Sequence, residues 1–485
     1  MANSVVMEQL STLDAGFLEA EDSDRHVSLA IGALAVMAGP MPDFDTLVEG
    51  LAERMLSVPR FKQVLRTQPL DLGAPHWVDD PNLDMAHHVR RAALPRPGDD
   101  AALFRWVAEV MERRLDRDRP LWECWIVDGL PYNRWAILMK VHHCIADGIA
   151  ATRMLAKLCD AAESGTFATK IRAAKEEPAR GGLRLPALTL NPIDWITGAW
   201  RTSLGVTNAA AQALQGAFEI AGGIIRPAAS PLTGPVTNMR RYTGVHVALE
   251  DVARVCESFE VTVNDVALAA ITDSFRAMLI RRGQKPKPNS LRTLVPVSVR
   301  SNDAADKTDN RVSVMLPYLP VEKADPVQQL QAVHRRLTKA KGSGQRQAGS
   351  VFLSAANAIP FPLTAWAVRA LTRLPQRGVV TLATNVPGPR RRQRIMGREV
   401  IRLLPIPPIA LGLQTGIAIL SYADHLSFGI TADYDAAPDV DELASGIERA
   451  VAHLAAISNV PTRSTRKGTL ALVLGGSDDV AAARA

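Results

Sequence analysis

The stretch VHHCIADG, residues 141–148, contains a histidine pair and an Asp-Gly that are separated by three residues. The apolar run before it, WAILMKV at 135–141, predicts a buried strand. Apolar residues recur at helical spacing over 149–158 and predict a helix. The histidines therefore lie where a strand passes into a helix. Because a neutral imidazole can take a proton from a hydroxyl and return it within one turnover, this pattern indicates acid–base catalysis.

Other uses of these residues are less favoured. His143 and Asp147 could share a helix face as metal ligands, but further ligands are missing nearby and no HExxH pattern occurs. A nucleophilic Cys144 is not needed, because the adjacent histidine has a role that requires no thiol. The sequence also lacks a GxSxG elbow. A second pair, His87-His88, has no Asp-Gly after it and is interpreted as structural or solvated.

Further short motifs are spread over about residues 10–435. They are Leu10-Ser-Thr-Leu-Asp14 with Phe17-Leu-Glu19, Arg119-Pro-Leu-Trp122 with Asp128-Gly129, Val263-Asn-Asp-Val266, Pro296-Val-Ser-Val-Arg300, Thr384-Asn-Val-Pro-Gly-Pro389, and Ser421-Tyr422. With HHxxxDG, this ordered series resembles the wax ester synthase/diacylglycerol acyltransferase family, within the CoA-dependent acyltransferases. Each motif is weak alone, and their shared order makes the resemblance specific.

The resemblance implies an α/β fold with two similar chloramphenicol acetyltransferase-like subdomains and a substrate tunnel between them. Breaks in the sequence predict an N-terminal subdomain at 1–165 that carries HHxxxDG, and a linker with an amphipathic helix at 166–235. A C-terminal subdomain is predicted at 236–460, and a poorly ordered tail at 461–485.

Because the sequence has no GxSxG elbow and no plausible serine or cysteine nucleophile paired with a base, direct acyl transfer without a covalent enzyme intermediate is the simpler scheme. His143 is expected to be the general base, and His142 to pack or orient the loop. From the resemblance, Asp147 is expected to point away from substrate and to pair with Arg300, although direct contact with the base is an alternative. Gly148 would leave room where a Cβ would crowd the tunnel.

Four more positions are carried over from the family motifs. Thr384 and Asn385 are candidate oxyanion donors, and Asn264 and Asp265 are candidate site-shaping residues, with a helix N-terminus as the alternative. The chain departs from the family pattern at Thr384, where Ser is usual, and before Arg240-Arg241, where an Asn-Gly is replaced.

The four arginines after Pro389 form an unusually basic cluster. The arginine cluster consists of Arg390, Arg391, Arg392 and Arg394. With a net charge of +6, it suggests contact with CoA phosphates or an acidic membrane, and a solvated loop is the alternative. Nucleic acid is not an expected partner, since aromatic residues make up only 5% and no recognition motif occurs.

Composition indicates a large cytoplasmic enzyme. No run of eighteen apolar residues and no signal peptide appears, and the four cysteines lack CxxC spacing. Two Trp-bearing amphipathic stretches, 192–225 and 351–374, could be membrane contacts or ordinary core helices. Peripheral association with the inner face of the cell membrane or with lipid droplets is therefore expected.

The predicted activity is acyl-CoA-dependent esterification of diacylglycerol to triacylglycerol, with long-chain alcohols as further acceptors that would give wax esters. Long-chain acyl-CoA is then a co-substrate, and no bound cofactor or metal is expected. Two alternatives stay open at this point: a lipid-binding or interaction protein with a degenerate tunnel, and an acyltransferase that uses carrier-bound acyl groups.

Overall fold

Two mixed six-stranded sheets organise the chain in the computed structural model, which describes residues 8–67, 73–146, 148–160, 232–298, 312–342, 378–410 and 412–459. The predicted linker with its amphipathic helix lies almost wholly outside these residues, as do the tail and the Trp-bearing stretches. Within the described residues, no helix is both long and apolar enough to cross a bilayer.

The first half begins with a helix and supplies most of the first sheet. Its elements are α1 (Thr12–Ser23), β1 (Ala30–Met37), α2 (Phe44–Leu56), β2 (Gln63–Arg66), β3 (His76–Asp79), α3 (Met85–His88), β4 (Val89–Ala93), α4 (Asp100–Glu112), β5 (Trp122–Leu130), β6 (Arg134–His142) and α5 (Gly148–Leu158). Its strands in the first sheet are neighbours in the order β1-β6-β5-β4, and β2 pairs separately with β3.

The second half supplies all of the second sheet and two strands of the first. Its elements are β7 (Arg240–Ala248), α6 (Leu249–Phe259), α7 (Val263–Arg281), β8 (Thr293–Ser298), β9 (Val312–Met315), α8 (Pro326–Gly342), β10 (Thr381–Pro387), β11 (Arg394–Ile395), β12 (Arg398–Ile406), β13 (Thr415–Tyr422), β14 (His425–Asp433) and α9 (Val440–Ser458). The second sheet has the order β7-β14-β13-β10-β8-β9, and the complete first sheet has the order β11-β12-β1-β6-β5-β4.

The strand and helix predicted around the histidine pair are both confirmed. Strand β6 lies between β1 and β5, and every residue after Arg134 is buried, which explains its nearly continuous apolar sequence. Helix α5 begins at Gly148 and packs against α2 and β10. Helix α1 begins after Ser11, whose side chain accepts a hydrogen bond from the backbone N–H of Asp14.

Strand β12 connects the two halves. It comes from the second half of the chain, yet it pairs antiparallel with β1 over Gly32–Met37 and also contacts β13 and β14. Its residues Leu403, Leu404 and Ile406 belong to the hydrophobic core of the first half. The two halves therefore share a core across this strand.

Two glycines allow β12 to approach the second sheet closely. Gly244 of β7 and Gly429 of β14 are directly paired across the two strands. A Cβ on Gly429 would overlap the backbone carbonyl of Pro405, and one on Gly244 would meet the Leu404 side chain. The hydroxyl of Tyr242 donates to the Pro405 oxygen at 3.1 Å. Glycine at 429 thus lets backbone lie on backbone, and glycine at 244 leaves room for the Leu404 side chain.

Candidate active site

The histidine pair is fixed at the end of β6 through its backbone. The N–H of His142 donates to the carbonyl of Leu121 at 3.0 Å, and that of His143 donates to the carbonyl of Leu29 at 3.0 Å. Trp122 of the Pro-Leu-Trp motif pairs with Val141, one residue before the histidines. This motif therefore forms the strand next to the histidine pair and sets its position.

The His143 side chain is half-buried and lies against an aromatic ring. Its imidazole stacks on Phe17 of α1, with ring centroids 4.1 Å apart and an angle of 27° between the planes. Burial lowers the pKa of His143 from 6.5 to about 4. The imidazole is consequently neutral near pH 7, which is the protonation state that a general base requires.

The His142 side chain is fully buried and points to another part of α1. Its Nδ1 accepts a hydrogen bond from the backbone N–H of Cys144 at 3.2 Å, and its Nε2 lies 3.5 Å from Oε2 of Glu21. Both ring nitrogens of His142 therefore face groups within the protein. The two histidines are adjacent in sequence but lie in different surroundings.

Glu21 is a buried carboxylate with several partners. Its Oε1 accepts from the backbone N–H of Leu29 at 2.9 Å, and its Oε2 accepts from the guanidinium of Arg117 at 2.7 Å. Burial would raise the pKa of this carboxyl, but His142, the Leu29 N–H and Arg117 together lower it to about 2. Glu21 is therefore ionised, and its carboxylate lies next to His142.

Neither Cys144 nor the second histidine pair forms part of a reactive site in the described contacts. The Cys144 thiol is buried, and burial raises its pKa well above the ordinary value, which disfavours the thiolate that a nucleophile needs. His88 is buried, its Nδ1 lies 2.8 Å from the Trp122 carbonyl, and its ring stacks on the Trp122 indole. His88 is thus a packing residue.

Thr384 and Asn385 lie in β10, which the structure brings against α5, the helix after the histidines. Both side chains are half-buried. Beyond them, the N–H of Gly388 donates to the hydroxyl of Ser421 at 3.2 Å, so two further family motifs meet here. The structure thus joins the strand with these residues to the half that carries His143, and their role as oxyanion donors stays a prediction.

Asn264 and Asp265 lie in the first turn of α7. The carboxylate of Asp265 accepts from the Thr262 N–H and hydroxyl, both at 2.9 Å, and lies 2.8 Å from Nδ1 of His334. The Thr262 hydroxyl accepts in return from the Asp265 N–H, which completes a capping box. These contacts fit the alternative interpretation, in which the two residues belong to a helix N-terminus. A site-shaping role for them stays a prediction.

The arginine cluster follows β10 and extends to β11. Arg391, Arg392 and Arg394 are exposed, and Arg390 is half-buried. Arg392 bonds to Glu399 at 2.9 Å and to Asp424 at 3.4 Å, and these partners raise its pKa. Part of the cluster is therefore neutralised by carboxylates of the same chain.

The predicted pair between Asp147 and Arg300 stays a prediction, because both residues lie outside the described part of the chain. Gly148 is placed as the first residue of α5. In the described ranges, no three His, Cys, Asp or Glu side chains are grouped so that they could hold a metal ion.

An apolar cavity lies beside the histidine loop, between α5 and the first sheet. Its lining includes Val141, the residue before His142, and four residues of α5. Its lining side chains are aliphatic, thioether or aromatic, and they come from Ile31, Ala33, Phe61, Met139, Val141, Ala151, Met154, Leu155 and Leu158. Such a wall suits a hydrocarbon chain.

Two residues that contact the histidines, Phe17 and Glu21, were not predicted from the sequence. Phe17 was noted only as part of an opening motif, and Glu21 was not noted. Both lie on α1, far from His142 and His143 in sequence. Their spacing of four residues was the available signal, because it places an aromatic and an acidic side chain on one helix face.

Two family models match the chain. The wax ester synthase/diacylglycerol acyltransferase catalytic domain matches residues 10–267, and the C-terminal domain of the same family matches residues 308–455. A probable diacylglycerol O-acyltransferase of Mycobacterium tuberculosis is 56% identical over 472 residues, which cover 96% of this chain and all of that relative. An O-acyltransferase of Acinetobacter baylyi is 27% identical, covering 92% of this chain and 96% of that relative.

Solved structures share the fold. The wax ester synthase/diacylglycerol acyltransferase of Marinobacter aquaeolei VT8 matches with a TM-score of 0.65 and 23% identity, covering 93% of this chain and all of that chain. The first condensation domain of the calcium-dependent antibiotic synthetase matches with a TM-score of 0.62 and 15% identity, covering 95% and 98% of the respective chains. The predicted chloramphenicol acetyltransferase-like α/β fold with two subdomains is confirmed.

Proposed function

We infer the substrates of this chain from its family: it belongs to the wax ester synthase/diacylglycerol acyltransferase family and is an acyltransferase, which transfers an acyl group from a donor to a lipid acceptor. On this basis we propose that it transfers a long-chain acyl group from CoA to diacylglycerol, which gives triacylglycerol, and that long-chain alcohols are secondary acceptors. The observation that carries the proposal is the half-buried His143, which burial keeps neutral, two residues after Val141, which lines an apolar cavity.

The proposed chemistry is a direct transfer. His143 takes the proton of the acceptor hydroxyl while its oxygen attacks the thioester carbonyl. As the tetrahedral intermediate collapses, the carbon–sulfur bond breaks and the His143 imidazolium gives its proton to the departing CoA sulfur. The ester and free CoA leave, and His143 is neutral again. Bringing the two substrates together supplies the entropic part of the rate enhancement.

Other residues serve this step without exchanging protons. Thr384 and Asn385 donate hydrogen bonds to the oxyanion that forms at the thioester carbonyl. Asp147 pairs with Arg300 and holds the loop after the histidines, and Gly148 keeps space open for substrate. Asn264 and Asp265 shape the second half of the site through the start of α7.

The hydrocarbon chain of the donor occupies the apolar cavity along α5. Val141, the residue before His142, lines this cavity, and Ala151 contributes a small side chain to its wall. A larger residue at Ala151 would shorten the space for the acyl chain. The enzyme itself works in the cytoplasm, attached peripherally to the inner face of the membrane or to lipid droplets, where its lipid acceptors are concentrated.

The test is an acyl-transfer assay with purified protein and labelled palmitoyl-CoA. Dioleoylglycerol, hexadecanol or no acceptor is added, and triacylglycerol, wax ester and free palmitate are quantified. The proposal predicts triacylglycerol as the main product and acceptor-dependent release of CoA. Palmitoyl-pantetheine serves as a matched donor without the nucleotide part of CoA. Release of free palmitate alone, or equal use of palmitoyl-pantetheine, would contradict the proposed reaction or the proposed donor.

A further inference from the structure

Helix α1 contacts both histidines of the HHxxxDG motif with one face. Phe17 and Glu21 are four residues apart and therefore project from the same side of the helix. Phe17 stacks on His143, and Glu21 faces His142. We infer that α1 fixes the orientation of both imidazoles and that Glu21 is a positioning residue for His142. This inference rests on the proposed function, in which His143 is the base.

The hydrogen bonds around His142 determine its tautomer. The backbone N–H of Cys144 can only donate, so Nδ1 of His142 must be the unprotonated, accepting nitrogen. The ring hydrogen is then on Nε2, which faces the carboxylate of Glu21 at 3.5 Å. Since 3.5 Å is long for a hydrogen bond, the attraction is mainly electrostatic. With Nδ1 occupied and Nε2 protonated, His142 has no free lone pair with which to act as base.

Leu29 connects the same carboxylate to the backbone of His143. Its N–H donates to Oε1 of Glu21 at 2.9 Å, and its carbonyl accepts from the His143 N–H at 3.0 Å. Displacement of Glu21 would therefore be transmitted to His143 by two routes, through the His142 ring and through Leu29. The carboxylate acts on the position of the base without contacting it.

Arginines from both halves hold the segment between α1 and β1 in place. Arg114 donates to the carbonyls of Val27 at 2.9 Å and Asp24 at 2.5 Å. Arg240, the first residue of β7, donates to the carbonyl of His26 at 2.5 Å. The orientation of the histidines thus depends on contacts from the first half and from the second half of the chain.

Replacement of Glu21 by glutamine should disturb the tautomer. Three donors converge on the two carboxylate oxygens, from His142, Leu29 and Arg117. A glutamine amide has one accepting oxygen and one donating NH₂ group, so at least one of these donors would face another donor. If the NH₂ group faces His142, the ring is driven to accept at Nε2, and the hydrogen bond from Cys144 is lost.

The experiment compares Glu21→Gln with Asp22→Asn. Asp22 is exposed and contacts the same Arg117 at 2.9 Å, so it controls for loss of an acidic partner of that arginine. The tautomer of His142 is measured by ¹⁵N NMR of histidine-labelled protein, with assignment by a His142→Gln variant. We expect wild type and Asp22→Asn to show protonated Nε2 only, and Glu21→Gln to show a mixture. Turnover should fall roughly 10- to 100-fold in Glu21→Gln with little change in KM, because misplacing a reacting group by about 1 Å can cost about 100-fold in rate.

A second variant covers the case in which Glu21→Gln does not fold. Phe17→Leu keeps an apolar side chain on the same helix face but removes the ring that stacks on His143. It should lower kcat and leave the KM values for both substrates unchanged. Wild-type kcat and tautomer in folded Glu21→Gln, or wild-type kcat in Phe17→Leu, would overturn the inference. If instead wild type itself fails to transfer acyl groups, or His143→Ala remains active, the proposed function fails and not the positioning role.

Discussion

At the scale of single residues, the lowered pKa of His143 predicts how the reaction rate depends on pH. A base with a pKa of about 4 is already deprotonated at pH 5, so activity is lost only as pH falls through about 4. We expect kcat/KM to be constant from about pH 5 to 7.5. An acid limb centred near 6.5, the ordinary histidine value, would contradict burial as the cause. Rates are checked against a portion of enzyme returned to pH 7, to exclude loss by unfolding.

Removing the aromatic neighbour provides the matching control. Phe17→Ala should admit water around the His143 imidazole and reduce the desolvation that lowers its pKa. The acid limb of kcat/KM should then move upward from about pH 4 toward 6.5. Phe44→Ala, on α2 and away from the histidines, should leave the limb in place.

The same residues show what the sequence could predict about the site. The histidine pair was identified because the two residues and Asp-Gly are contiguous, and local chemistry is visible in local sequence. Phe17 and Glu21 reach the histidines only when β1 and β6 are paired, with Ala30 opposite His142. A helix face carrying an aromatic and an acidic residue has many uses, so spacing alone could not select this partner. Asp147, Arg300 and the proposed oxyanion donors remain predictions.

At the scale of elements, β6 and α5 were predicted because their apolar patterns match the periods of a buried strand and a helix. The place of β12 could not be predicted in this way. Its sequence indicates a strand but does not show which strand it pairs with. In the structure it belongs to the second half of the chain and pairs within the sheet of the first half. Gly244 and Gly429 make room for β12, but this is visible only in the structure, where β7 and β14 pair and place the two glycines opposite each other.

The close approach of β12 to the second sheet predicts different effects for two glycine substitutions. Gly429→Ala would place a methyl group on the Pro405 carbonyl, and backbone cannot move aside, so we expect a loss of about 1–3 kcal/mol or more of unfolding free energy. Gly244→Ala would meet only the Leu404 side chain, which can change rotamer, so the loss should be smaller. Urea unfolding measures both. Equal losses would mean that close backbone approach at Pro405 is not the reason for glycine.

At the scale of the whole molecule, the net charge of +6 predicts reversible attachment to lipid surfaces. Binding to vesicles should be stronger with anionic than with neutral lipid. It should weaken as salt rises, because charge attraction is screened within about 10 Å at 0.1 M salt. Sedimentation with vesicles of phosphatidylglycerol or phosphatidylcholine measures this, and equal binding to both would contradict an electrostatic attachment.

The arginine cluster allows the surface role to be separated from a substrate role. Replacement of Arg394 by serine should weaken vesicle binding while turnover of detergent-dispersed diacylglycerol continues. Arg392→Ser is the matched variant and should have a smaller effect, because Glu399 and Asp424 already offset that charge. A higher KM for acyl-CoA with unchanged vesicle binding would indicate CoA phosphates instead. No change in either quantity would identify a solvated loop.

Single-turnover transfer from labelled palmitoyl-CoA to dioleoylglycerol tests whether the neutral imidazole of His143 is the general base for acyl transfer. Wild type, His143→Ala and His142→Ala are compared at equal concentrations after thermal unfolding has shown that each is folded. We expect His143→Ala to lose roughly 10²- to 10⁴-fold in the transfer rate, the usual contribution of a positioned base, and His142→Ala to lose less. Transfer by His143→Ala at a rate near that of wild type, or equal losses in the two variants, would contradict this role for His143.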